Sequence, residues 1–395
     1  MNASSRISRS ERGAVLVQIA ISILVLMAFN VFVVDYGAFW VSRRQAQNAA
    51  DAGALAGAVA LGYDDFGTPD EFSPAGLAAD VVANANPVWR VAGMSDVTFP
   101  ECPASVTGRC VRVDVHRTVG RGNPVETFFG PIIGIDGQSV SATATAAALN
   151  ATGVTCLRPW AMADDWVENV TPGEFNHYDA AGNPLPAGSR DEYTPPSSSQ
   201  SGLITVSGDF GVLQQYTVGL PFTSPITRPF VLPLNLPGPS FPQNMTECND
   251  QPIALNETLP VIDSALDMVG PLQQAFDQDP DADWNDAIQK VVNSCAPGCD
   301  AVSPRLFAIA LYDPKKFQYG RATGNWSSPL AGSCAGPCVS VSNIVGFFIR
   351  RVDASKGAGP SQPHGHYVKY PGITVDSVTP FVDDGSWLVT TRLVR

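Results

Sequence analysis

The chain has 395 residues and a formal net charge of −13, with 45 % hydrophobic and 15 % charged residues. That acidic balance excludes nucleic acid as a partner, because phosphate binding needs a basic surface. A mean hydropathy of +0.04 excludes a bundle of many membrane spans, while 35 Gly and 33 Pro suit a loop-rich, β-containing extracellular protein more than a helical cytosolic enzyme.

Residues 1–12 read as a short tail, 13–40 as a transmembrane anchor and 41–61 as a helical stalk. Val15 to Val34 is apolar except for Gln18, Ser22 and Asn30. At about 1.5 Å per residue this run spans ~30 Å, the depth of a bilayer's hydrocarbon core. Arg6, Arg9 and Arg12 precede it, and Arg43 and Arg44 follow. The excess on the N-terminal side predicts an N-terminus left in the cytoplasm. A cleaved signal peptide is the rival reading. The run is longer than the usual h-region of about 7–15 residues, and Asp35-Tyr36-Gly37-Ala38-Phe39-Trp40 holds no small-x-small cleavage site. Tyr36, Phe39 and Trp40 suit an interfacial aromatic belt. Asp35 has two readings: a partner for a neighbour's cation or for Arg43 or Arg44, or a plain helix-end carboxylate among headgroups.

No Pro lies between Trp40 and Leu61, and Ala favours helix, so the anchor helix is expected to continue out of the membrane. The small residues of Ala46 to Ala58 permit close approach of another helix. They fit an oligomer face, or equally an Ala-rich helix packed on its own domain.

Arg12-Gly13-Ala14-Val15, the apolar run, Asp35-Tyr36-Gly37, Arg43-Arg44 and Gln47-Asn48-Ala49-Ala50-Asp51-Ala52-Gly53-Ala54-Leu55-Ala56-Gly57-Ala58 come in that order at tight spacing. This stretch of about fifty residues resembles the N-terminal domain of the TadG-like and TadE-like proteins of bacterial Tad/Flp (tight adherence) pilus systems. The resemblance implies a single-pass protein of the inner (cytoplasmic) membrane with a periplasmic or extracellular ectodomain. Its partners would be the membrane and other pilus-assembly or pilin-like subunits. Two departures stand out. Related pseudopilins have Glu five residues after the processing Gly, where this chain has Gln18 after Gly13. Some TadG-like proteins carry an Asp-x-Ser-x-Ser metal motif, and the nearest string here, Asp353-Ala354-Ser355-Lys356-Gly357, fails at its last position.

Beyond the stalk the sequence predicts a disulfide-containing, loop-rich α+β ectodomain: a small pilin-like α+β domain over 62–152, a loop-rich β segment over 153–258 and an α+β region over 259–395. Ala75 to Asn84 reads as a helix that stops before Pro87. Cys110 to Arg117 and Ser139 to Ala146 alternate apolar and polar residues, as half-buried strands do. Leu157-Arg158-Pro159-Trp160 opens the second block, whose residues 171–245 are rich in Pro, Gly, Ser and Thr. Leu203 to Val206 reads as a strand there, and Phe210, Tyr216, Phe222 and Phe230 can seed packing. Residues 259–293 read as helical with breaks at Pro271 and Pro280. Leu306 to Tyr312, Val339 to Ile349 and Trp387 to Val394 read as strands.

Eight cysteines, Cys102, Cys110, Cys156, Cys248, Cys295, Cys299, Cys334 and Cys338, all follow the anchor. An exported ectodomain predicts disulfides. The pairing expected is Cys102 with Cys110, Cys156 with Cys248, and the last four among themselves. Four thiolates on zinc from Cys295-x₃-Cys299 and Cys334-x₃-Cys338 is the rival, disfavoured by an oxidising compartment and by the tight turns at Pro297-Gly298 and Gly336-Pro337.

Asp277, Asp279, Asp281, Asp283 and Asp286 form an acidic cluster. Alternate carboxylates suit Ca²⁺, but the EF-hand positions for Gly and Glu are not met. The plainer reading is a solvated turn capping a helix that begins near Asp283. His364 and His366 fall in a Pro- and Gly-rich segment, read as a surface loop; His116 and His177 have no visible triad partner. No catalytic fingerprint is present, so the expectation is a non-enzymatic structural protein without cofactor. A cell-surface ligand- or Ca-binding adhesion module is the alternative.

Overall fold

A single helix, α1, runs from Glu11 to Tyr63, 53 residues without a break, or about 80 Å at 1.5 Å per residue. The computed structural model describes residues 11–63, 68–163, 166–167, 186, 189, 192–193, 215–217, 231–262, 269–285, 287–288, 290–296, 298, 302–312, 316–317, 320, 323–353, 362–375 and 387–394. The expected strand 203–206 and Phe210, Phe222, Phe230, His177, Asp286 and Cys299 lie outside them, as do Arg6 and Arg9. The chain falls into two units, Met1–Ala148 with Thr391–Arg395, and Leu149–Thr390.

In the first unit α1 is followed by α2 (Pro74–Ala85), β1 (Met94–Thr98), β2 (Gly108–Arg117) and β3 (Val140–Asn150). Ser73 caps α2: its hydroxyl accepts from the Gly76 N–H at 3.3 Å, and Pro74 occupies the first turn, where a missing N–H costs nothing. Pro87 forbids further helix by disfavouring the α conformation of the residue before it. β1 and β2 pair antiparallel with Val97 opposite Val113, and β3 lies on the other side of β2. The alternation of β2 buries Val111, Val113 and Val115, and that of β3 buries Val140, Ala142, Ala144 and Ala146. Both expected strands are present, each a few residues longer than its apolar pattern. The core they share with α1 and α2 is built mostly from Ala and Val.

In the second unit the strands include β4 (Leu157–Ala163), β5 (Gln215–Thr217), β6 (Val231–Pro233), β7 (Thr258–Pro260), β8 (Asp283–Asn285), β9 (Lys290–Val292), β10 (Leu306–Tyr312), β11 (Cys338–Asp353) and β12 (Gln362–Val368), and β13 (Leu388–Val394) begins there and ends in the first unit. Helices α3 (Phe241–Thr246) and α4 (Val269–Gln278) lie among them. The main sheet has the order β5-β12-β11-β10-β4-β6, with β7 also paired to β11. All these pairs are antiparallel except β10 with β4. Its core is aromatic: the Trp160 ring lies 5.7 Å from both Phe307 and Phe347, and Phe347 lies 5.8 Å from Tyr367. Truncating one such buried ring to Ala costs about 3–5 kcal/mol.

The fold is mixed α+β, as the sequence predicts, with two local corrections. The stretch 259–293 is not a broken helix. Among its described residues only Val269–Gln278 is helical, with Pro271 tolerated in its first turn, and Asp283–Asn285 pairs antiparallel with Lys290–Val292 as β8–β9, Trp284 facing Val291. The segment with His364 and His366 is not a surface loop but strand β12, in which His366 is buried and stacks on Trp284 at 4.5 Å.

Candidate anchor-docking site

α1 changes character along its length. From Val15 to Val34 every described side chain is exposed, on all faces of the helix. Two polar residues there bond back into their own helix. Ser22 Oγ donates to the Gln18 carbonyl at 2.9 Å, and Asn30 Nδ2 donates to the Leu26 carbonyl at 2.8 Å. Such back-bonding is how a helix carries polar groups where water is absent. By length and composition this helix can cross a membrane.

From Ala38 onward one face is buried: Ala38, Ser42, Ala46, Ala49, Ala50, Gly53, Ala54, Gly57, Ala58 and Leu61. The spacing of three and four is one helical stripe. It packs on α2 and β2. A Cβ placed on Gly57 would come within 3.0 Å of the Ala79 methyl and 3.1 Å of Val111. The backbones therefore approach as closely as small residues allow. Of the two readings open for this face, the structure shows the second. The residues proposed for an oligomer contact are already covered by the chain's own head domain.

Polar groups flank the stripe and fix its register. Gln45 Oε1 accepts from the Trp89 N–H at 2.8 Å, and Gln47 Nε2 donates to the Thr143 carbonyl at 3.2 Å. Arg109 donates to the Leu61 carbonyl at 3.1 Å. Arg117, buried under the sheet, donates to the carbonyls of Val88, Asn123 and Pro124 and so staples the loops beside α1.

Asp35 stands where the apolar run ends and the buried stripe has not begun. Its carboxylate is bound neither by Arg43 nor by Arg44. It accepts the backbone N–H groups of Phe128 at 2.8 Å, Phe129 at 3.2 Å and Gly130 at 3.0 Å. These amides open a short 3₁₀ turn, Gly130–Ile133. Converging N–H groups of this kind form a nest for an anion. Here the anion is a side chain of the same protein, supplied by the anchor helix. The pairing with Arg43 or Arg44 within the chain gives way to this one. Its partners are main-chain groups about ninety residues away in sequence, so no side-chain motif announces them.

Arg43 and Arg44 are exposed, and the Arg44 guanidinium lies 5.4 Å over the Trp40 ring. This cation–π pair sits just past the apolar run. Arg12 lies in the first turn of α1.

The described members of the acidic cluster do not converge. Asp277 accepts from Gln273 Nε2 at 2.8 Å, Asp283 pairs with Arg350 at 3.1 Å, and Asp281 is exposed. Asp279 is buried and accepts from Ser294 Oγ at 2.7 Å, the Cys295 N–H at 2.9 Å and Ser303 Oγ at 2.5 Å. Burial alone would raise its pKa, but the donors from Ser303, Cys295 and Ser294 and the charge of Arg305 outweigh it and hold the carboxyl below its ordinary range. Arg305 is buried beside it and donates to the carbonyls of Asp279, Ala282, Ile349 and Arg350, stacked 3.9 Å over Phe276. The helix expected to begin near Asp283 is the strand β8.

Disulfides join Cys102 to Cys110, Cys156 to Cys248 and Cys334 to Cys338, and Cys295 is disulfide-bonded too. The grouping of Cys156, Cys248 and Asp250 within 4.8 Å is therefore a bridge with a neighbouring carboxylate, its thiols spent.

Residues 13–60 match the Tad family model, described as Flp pilus-assembly TadE/G-like. The matched span begins two residues into α1 and ends three before its last, so it covers the apolar run, Asp35 and the buried stripe up to Ala58 together. No curated protein and no solved structure matches the chain.

Proposed function

We propose that this chain is a membrane-anchored structural component of Tad/Flp pilus assembly that acts through protein contacts in the cell envelope. The observation that carries the reading is the match of residues 13–60 to a pilus-assembly family over one continuous helix, apolar and exposed in its first part and docked on a head domain in its second. On this reading the helix is an uncleaved signal-anchor in the inner membrane, with Arg12 and the residues before it in the cytoplasm. The disulfide-bonded units lie outside, in an oxidising compartment. The protein is not an enzyme; it holds its head at a fixed level above the bilayer for other subunits to meet. The calcium-binding alternative finds less support, since Asp277, Asp279 and Asp283 each already accept a protein donor.

The test is deletion of the gene in its own host, with surface pili counted by electron microscopy and attachment measured. Loss of pili, restored by the full chain but not by residues 41–395 exported behind a cleavable signal, is the expected result. Undiminished piliation without the gene would overturn the reading.

A further inference from the structure

Asp35 fixes the loop Phe128–Ile135 against α1 one residue past the apolar run, and this loop is itself apolar. Phe128-Phe129-Gly130-Pro131-Ile132-Ile133-Gly134-Ile135 contains no charged residue; Glu126 and Asp136 stand at its base. Three of its large side chains face solvent: Phe128 is 54 % exposed, Ile132 80 % and Ile135 43 %. On α1, Phe32, Tyr36 and Trp40 are exposed at the neighbouring level. A water-facing loop has no reason to present Ile132 so fully.

Most of the loop's backbone N–H groups are already paired. The N–H groups of residues 128, 129 and 130 go to Asp35. Those of Ile132, Gly134 and Ile135 go to the carbonyls of Phe129, Pro131 and Gly130, at 3.0, 3.2 and 2.9 Å, and Pro131 has none. Irregular backbone enters a water-poor layer only when its donors are paired in this way. Trp beside Arg, as at Trp40 and Arg44, suits the headgroup boundary.

We infer that the loop Phe128–Ile135 is a second membrane contact, which dips Phe128, Ile132 and Ile135 into the lipid headgroup–acyl boundary beside the anchor while Asp35 accepts the N–H groups of residues 128–130. This rests on Val15–Val34 lying in lipid. The anchor alone would leave the head free to tilt and spin; two contacts at one level hold it in a fixed pose.

The experiment uses the full chain in nanodiscs of phosphatidylcholine with a minority of phosphatidylglycerol. No free cysteine occurs among the described residues, so Ile132→Cys, Leu24→Cys and Ser105→Cys can each carry one environment-sensitive fluorophore. Nitroxide-bearing lipid and aqueous iodide serve as quenchers. The expected result is several-fold quenching by lipid nitroxide and protection from iodide at positions 24 and 132, with the reverse at 105, on the exposed turn before β2. Lipid quenching at 24 but iodide quenching at 132 overturns the loop's insertion and leaves the anchor standing. Position 132 shielded from both quenchers also overturns it, since a second copy then covers the loop. Iodide access at 24 overturns the anchor and the inference together.

Discussion

Gly53 of α1 and Ala83 of α2 lie so close that a Cβ built on Gly53 would meet the Ala83 methyl at 2.9 Å and the Ala79 carbonyl oxygen also at 2.9 Å. The carbonyl belongs to a helix backbone and cannot swing aside. Gly53→Ala is therefore expected to destabilise the first unit by about 1–3 kcal/mol through overpacking, although Ala is the better helix former by about 1 kcal/mol. Gly37, in the same helix, has nothing within 4 Å of its would-be Cβ. Gly37→Ala is expected to be neutral or to stabilise by about 0.5–1 kcal/mol. Thermal unfolding of both variants in detergent, followed by circular dichroism, checks the pair; equal behaviour would show that close packing is not what selects Gly53.

Asp35 makes its own prediction, separate from any membrane. Asp35→Ala leaves the N–H groups of Phe128, Phe129 and Gly130 without their acceptor. Amide hydrogen exchange over 127–135 is expected to quicken by tenfold or more, since losing about 1.4 kcal/mol of local protection is one factor of ten. Exchange at Val111 and Val113 in β2 should stay as in the parent. Asp35→Asn is expected to fall between, because its amide keeps one acceptor oxygen but turns an NH₂ toward the nest.

These two sites differ in how far the sequence reveals them. The helix and its small-residue stripe are legible because both follow from local spacing: Ala46, Ala50, Gly53 and Gly57 recur at three and four. What covers the stripe is not legible, since the same residues fit a second chain as well as α2. Asp35 marks a boundary in the sequence, but its ligands are main-chain amides that carry no residue signal. The strand pair β8–β9 is misread as helix for a related reason. Ala282, Ala287 and Gln289 favour helix locally, whereas Trp284 is drawn into a sheet-side cluster with Phe348 and Val368. Asn285 then turns the chain by accepting the Ala287 N–H at 2.9 Å. The parallel pairing of β4 with β10 depends on contacts far apart in the chain, which no periodicity encodes.

The Cys156–Cys248 bridge closes a loop with a sequence separation of 92. In the chain-entropy description, a loop of that size restricts the unfolded chain by about 4–5 kcal/mol. Cys156→Ser with Cys248→Ser is expected to lower the unfolding midpoint of the second unit well below the effect of removing Cys334–Cys338, whose separation is 4. Denaturant titration of the two double variants, read by tryptophan fluorescence, gives the comparison. A larger loss from the short bridge would mean that native-state contacts, not loop closure, set its contribution.

Asp279 should make the second unit acid-sensitive. Its folded pKa is depressed by the Ser303, Cys295 and Ser294 donors and by Arg305, against the opposing effect of burial. A depressed carboxyl binds fewer protons folded than unfolded, so its contribution is present above the unfolded value of about 3.9 and is lost as pH falls through the lower folded value. Protonation would also remove one of the two carboxylate charges, Asp279 and Asp283, that act on the buried Arg305 guanidinium. Asp279→Asn is therefore expected to lower the melting temperature at pH 7 and to flatten its fall between about pH 5 and pH 2. Asp281→Asn, at an exposed carboxylate of the same cluster, is expected to change neither. Melting curves of the parent and both variants across that range decide it: a parent and an Asp279→Asn variant with parallel acid profiles would mean that other carboxylates carry the acid response.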